Sequence, residues 1–396
     1  MRTFVAKALT LAGELAGAAV IIAVLNWISL GPFRKSRGQH WTERARKLYP
    51  VRQAATTSIL VVPLILVLSQ GLLWPKTGPH WLLSALAGWI GATLGGYPLS
   101  REVFAWIKIR AWFHQTLTLL LMLNSPAFVL LIIAGLMPEA FDWRTWTLGA
   151  GFVIFLAAWS CGGMIWVARN LGLLTAAPAR LQAIVDNVSA HMQVAVRRTW
   201  VLKGSFANAI AYPATGDLVF LDRLLAVSPD HEIAAIAAHE IGHLCESKSA
   251  IAGRFLGRLF LLPWIFIKPM VHVYGVLGYF TVAGLSLAWI MWFKHVSRRL
   301  EKRADALATR ADRNPGDFAR ALEHLYEENL MPAVMRRKSM THPDLYDRLL
   351  ACGIQPDYPR PPPPSSFAYH VVLLGIVGIL AAAIILKNSW AEIFVN

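Results

Sequence analysis

Cysteine and charge are both scarce in this chain. Its 396 residues include three cysteines, Cys161, Cys245 and Cys352, in no CxxC spacing. That excludes a disulfide framework and a cysteine-built metal site, and it fits a reducing, cytoplasm-facing environment. Charged residues make up 15% of the chain and hydrophobic ones 56%, which excludes an ordinary soluble globular protein. Acids are the scarcer sign, 23 against 38 basic residues, for a net charge of +15. Such an excess could serve nucleic acid, but its distribution argues against that. The basic residues gather at 31–53 (Arg34, Lys35, Arg37, Arg44, Arg46, Lys47, Arg52) and at 100–115 (Arg101, Lys108, Arg110). The intervening loops hold only Lys76 and Arg144. Basic loops alternating with nearly neutral ones follow the positive-inside rule, and no nucleic-acid partner is expected.

Long apolar runs are what the chain has in place of charge. Residues 10–30, 55–74, 81–99, 116–137, 146–167, 270–293 and 367–386 approach or reach the length that crosses a bilayer. The first run has no small-residue cleavage site and more runs follow, so it reads as a retained helix. In and beside the runs the charges are few, Glu14 and Glu102 among them, which argues against the ion or substrate pathway of a transporter. The sixteen tryptophans suit headgroup anchoring and packing between spans. No internal repeat is present.

Residues 175–249 are more polar. Residues 180–192 read as an amphipathic helix, and 194–202, 208–212 and 217–222 as strands, with turns at Gly204 and 213–216. Ser228, Pro229 and Asp230 spell a helix start, and the helix they open should run from Pro229 to about Glu246. Near its end stands His239-Glu240-Ile241-Gly242-His243, an HExxH motif. Histidines four apart lie about 40° apart around a helix, so both imidazoles can reach one Zn²⁺. The carboxylate of Glu240 then lies where it can take a proton from an activated water. The flanking residues, Ile236 to Ala238 and Leu244-Cys245, are uncharged, as a buried helix requires.

Zinc of this kind takes a third protein ligand and keeps one position open. Downstream, Glu301 and Asp305 share a helix face. Alone, an ExxxD beside arginines is most simply a solvated charge pattern. After an HExxH, Glu301 becomes the candidate ligand and Asp305 a partner holding a ligand imidazole by its other nitrogen. This assignment constrains the path of the chain, because 301 can rejoin 239 and 243 only if the bilayer is crossed an even number of times. The short apolar run 255–267 must therefore cross along with 270–293, or both must re-enter from the same side.

HExxH, an apolar hairpin and ExxxD together resemble the integral-membrane gluzincin peptidases, the family of the CAAX prenyl proteases and the bacterial heat-shock protease HtpX. The likeness covers about 181–350. Asn208-Ala209-Ile210-Ala211 resembles that family's Asn-Ala-Phe-Ala edge-strand motif, and 217–225 its following strand and short helix. Thr341-His342-Pro343, with Arg348 beyond, resembles its late Thr-His-Pro…Arg element. The resemblance implies that Asn208 holds substrate backbone beside the strand, that His342 steadies the oxyanion, and that Arg348 orients nearby carboxylates.

The expected fold is a multi-pass α-helical membrane protein with a cytoplasmic α+β gluzincin protease domain. Residues 1–174 would form an N-terminal membrane domain of about five spans. The protease domain would comprise 175–250 and 295–357, interrupted by a transmembrane hairpin at 251–294. A proline-rich linker at 358–366 would lead to a last span and tail at 367–396. The expected activity is zinc-dependent endopeptidase action, with one Zn²⁺ per chain and peptides or membrane proteins as substrates. It would serve quality control in the bacterial inner membrane, with the active site facing the cytoplasm. Processing of lipidated C-termini and a non-catalytic zinc-fold scaffold are the competing readings.

Overall fold

The computed structural model describes residues 2–73, 81–104, 107–335 and 343–365. The run at 367–386 and the residues Thr341 and His342 lie outside the described residues. Among the described residues, four helices are long and apolar enough to cross a membrane: Phe4–Ser29, Leu82–Val103, Trp143–Asn170 and Ile267–Ala311. The apolar stretch from residue 55 lies in the helix Trp41–Leu73 and that from residue 116 in the helix Ile109–Leu136. The first of these already begins at Trp41, so much of the basic segment expected as a loop is helical.

The chain forms two compact units. Among the described residues, the first contains those between 2 and 117, 330–335 and 360–365. Here glycines let helices approach closely: a Cβ at Gly91 would lie 2.4 Å from the Leu15 carbonyl oxygen, and one at Gly95 would lie 2.7 Å from that of Ala19. Small residues at such crossings trade side-chain volume for backbone contact, as is usual between helices in lipid. The Asn26 amide donates to the Gly95 carbonyl at 3.0 Å and closes the same crossing.

The second unit, comprising 118–329 and 343–359 among the described residues, holds the HExxH segment. Its sheet has the order β1-β2-β4-β3, with β1 Leu174–Ala176, β2 Arg198–Leu202, β3 Ala209–Tyr212 and β4 Asp217–Leu221. β2 and β4 run parallel and the outer pairs antiparallel. β4 is buried along its whole length, as a central strand covered on both faces should be. Leu174, Leu202 and Val219 on one face pack against Ile165 and Ala168, at the end of the apolar helix Trp143–Asn170. That helix is broken at Trp159–Gly163, where Gly162 takes a φ of 113°.

The motif helix is Asp230–Leu244, buried from Ile233 to His243 apart from Ala234. Asp230 and Glu232 in its first turn complement the helix dipole. The sequence suggests Ser228 as its cap, yet Pro229 occupies that position. Ser228 instead closes the preceding short helix, its N–H bonding the Leu224 carbonyl.

Beyond the motif helix the chain makes an antiparallel helical hairpin. Its first limb starts with the helix Lys248–Arg258 and continues to Tyr274; the return limb is the remainder of Ile267–Ala311. The reversal falls at Gly275, whose φ of 57° and ψ of −137° suit glycine alone. The limbs are paired by Trp264 against Tyr279, by the Trp289 indole donating to the Leu256 carbonyl at 2.6 Å, and by Gly257 against Phe293. The chain therefore doubles back between the histidines and Glu301, as an even number of passes would require. The expected boundary differs: 270–274 belongs to the first limb, because the turn sits inside the run expected to be one span.

Candidate metal centre

The hairpin returns Glu301 to the motif helix. Ser297, Glu301, Ala304 and Ala308 form the buried face of the return limb, at helical spacing. They lie against a motif helix that is small where they cross it: a Cβ at Gly242 would sit 3.2 Å from the Ala304 Cα. Close approach of the two backbones brings the Glu301 carboxylate between the histidines. Its oxygens lie 3.6 Å from His239 Nε2 and 3.6 Å from His243 Nε2. One donor atom from each of the three residues falls within 4.8 Å of the others. The imidazole rings meet edge to face, with centroids 4.9 Å apart and an interplanar angle of 89°. His239, Glu240, His243 and Glu301 are all buried.

Each imidazole has a carboxylate behind it. Asp305 Oδ1 lies 3.1 Å from His239 Nδ1, a close contact not aligned as a hydrogen bond. Arg348 grips Asp305 with two donors, at 2.9 and 2.6 Å. Glu246 Oε1 lies 2.9 Å from His243 Nδ1, and Arg254 pairs with Glu246 in turn. The Phe318 ring stacks on His239 at 5.5 Å, with 13° between the planes.

Burial works against an imidazolium at both histidines, yet the surrounding carboxylates outweigh it. Asp305 and Glu301 raise His239, while Glu246 and Glu301 lift His243 to about 9. Burial likewise opposes the Arg348 guanidinium, and the Asp305 carboxylate more than compensates. With both imidazoles neutral, as metal ligands must be, four carboxylates (Glu240, Glu246, Glu301, Asp305) face two guanidiniums (Arg254, Arg348), a surplus that a dication would neutralise in place of two protons. Two imidazoles and a carboxylate also form a donor set for a divalent ion. In a tetrahedral site with bonds of about 2.0–2.1 Å, neighbouring donors stand about 3.3 Å apart, close to the two carboxylate–imidazole spacings of 3.6 Å found here. The residues fit a metal.

Asn208 lies at the start of β3, half-buried, its carbonyl accepting from the Leu221 N–H at 2.9 Å. The preceding residue is clamped: the Ala207 N–H donates to Asn329 Oδ1 at 2.9 Å, and Asn329 Nδ2 donates to the Ala207 carbonyl at 2.7 Å. β3 is an edge of the sheet and runs beside the motif helix. Of the residues singled out from sequence, His239, Glu240, His243, Glu301, Asp305 and Arg348 come together, Asn208 lies on the adjoining edge strand, and His342 is outside the described residues. Glu246, Arg254 and Phe318 are additions. Glu246 stands three residues after His243, a helical-neighbour spacing that was available as a signal; Arg254 and Phe318 follow no local pattern.

Residues 176–352 match the family model described as peptidase family M48. The match is consistent with the gluzincin resemblance, and that family implies a metallopeptidase; the chain also has helices apolar enough to cross a membrane. No protein of curated function matches the chain.

Proposed function

We propose that the protein is a membrane-embedded zinc metalloendopeptidase. The observation that carries this reading is the convergence of His239, His243 and Glu301 on one point, with Glu240 one residue from the first ligand. His239, His243 and Glu301 would hold the zinc, and Asp305 and Glu246 would orient the imidazoles. When bound, zinc acidifies water and polarises a carbonyl. The Glu240 carboxylate would take the proton of the attacking water and deliver it to the leaving amine. Substrate would lie extended along β3, with Asn208 binding its backbone. By family resemblance, His342 would donate a hydrogen bond to the oxyanion, a contribution of about 3 kcal/mol for a well-placed donor.

The positive-inside pattern supports a cytoplasmic active site, and the same reading takes the bacterial inner membrane as the location. The reading also takes misfolded membrane proteins as substrates, in a quality-control role. Glu240→Gln tests the mechanism: purified variant should retain zinc and lose cleavage of casein or an unfolded membrane protein. Cleavage at the wild-type rate would overturn it. Faster hydrolysis of a farnesylated peptide than of the unfolded protein would move the assignment to C-terminal processing.

A further inference from the structure

His243 is held differently from His239. The partner of His239 Nδ1, Asp305, comes from the same return limb as Glu301. The partner of His243 Nδ1, Glu246, comes from the short turn after the motif helix and is held by a residue of the hairpin's first limb. The Glu246 side chain is 2% exposed. Arg254 Nε donates to Glu246 Oε2 at 2.7 Å, and Arg254 Nη2 lies 3.0 Å from His243 Nδ1. An Nδ1 that donates to Glu246 cannot also accept from Arg254, so Arg254 acts on the carboxylate. A proton fixed on Nδ1 leaves the Nε2 lone pair directed at the point shared with Glu301. One turn beyond Arg254, Arg258 Nη1 donates at 2.7 Å to Ser160 Oγ, in the break of the helix Trp143–Asn170. The first limb is thereby fastened at both arginines.

We propose that Glu246 and Arg254 are positioning residues that fix the His243 tautomer and ring orientation, so that cation affinity at the site depends on a contact made by the hairpin's first limb. This rests on reading His239, His243 and Glu301 as cation ligands. The test is Co²⁺ titration of full-length protein in lipid nanodiscs, followed by visible absorption. Glu246→Ala should weaken Co²⁺ binding about 10- to 100-fold and change the absorption bands. Glu246→Gln, which still accepts from Nδ1–H, should fall between Glu246→Ala and wild type. Arg254→Met should weaken binding about 10-fold, Arg254→Lys should recover part of that loss, and Glu246→Ala/Arg254→Met should be no weaker than Glu246→Ala alone. Should Glu246→Ala not fold, the Glu246→Gln and Arg254→Met titrations decide the matter. Wild-type affinity and spectrum in both would overturn the positioning role. A different outcome would sink the underlying reading: wild type and His239→Ala taking up Co²⁺ equally, or neither taking it up.

Discussion

Gly242 of the motif helix lies so close to Ala304 of the return limb that a methyl group at 242 would stand 3.2 Å from the Ala304 Cα. That backbone approach sets the distance from Glu301 to both histidines. Gly242→Leu forces the motif helix and the return limb apart and should cost about 1–3 kcal/mol in stability by overpacking. It should also abolish tight cation binding while all three donors remain present. A denaturant melt together with metal analysis of the purified protein checks both effects.

Arg348 is buried and pairs with the part-buried Asp305 behind His239. Removing the guanidinium leaves a mostly buried carboxylate without its cation, so Arg348→Met should destabilise the fold by about 3 kcal/mol, the low end for breaking a buried pair. Much of that loss should disappear when Asp305→Asn is added. A double-mutant cycle measured by unfolding gives the coupling; additive losses would show that the pair does not act as a unit.

The raised His243 value fixes the direction of the pH dependence. Without a cation, the protonated imidazole contributes stability that is complete below its ordinary value of 6.5 and is lost as pH rises through about 9. A cation must displace that proton. Cation affinity should therefore increase from pH 6.5 towards 9, with proton release on binding. Calorimetry in buffers of different ionisation enthalpy measures the protons released; a pH-independent affinity would contradict the charge surplus described here.

Asn329 holds the backbone ahead of β3 through two hydrogen bonds to Ala207. Asn329→Ala removes both and should cost about 1–3 kcal/mol. Because β3 is the proposed substrate edge, the loss should appear mainly as a higher KM for an extended peptide, with kcat nearly unchanged. A fall in kcat at constant KM would place the defect in the metal centre instead.

Much of this site was legible in the sequence, because its information lies in helical spacing. His239, Glu240 and His243 share one short helix, and Glu301 and Asp305 share a face of another; such periodicities survive without knowledge of the fold. The even-pass requirement then indicated that the short run after the motif helix pairs with the longer one. The turn at Gly275 was hidden because the residues on either side of it are equally apolar, and only backbone conformation marks the change of direction. β1 was missed because its three residues form a strand only by pairing with β2. Arg254 left no trace, since its meaning depends on Glu246 lying across a turn.

The hairpin also dictates when the site can exist. During synthesis the two histidines emerge well before Glu301, and only the folded-back apolar loop brings the third donor within reach of them. Until that loop has folded back, the chain has two donors and a stray carboxylate. On the proposed reading, hydrolytic capacity would arise only once the hairpin has closed, so a nascent copy still lacking it would not cut its neighbours.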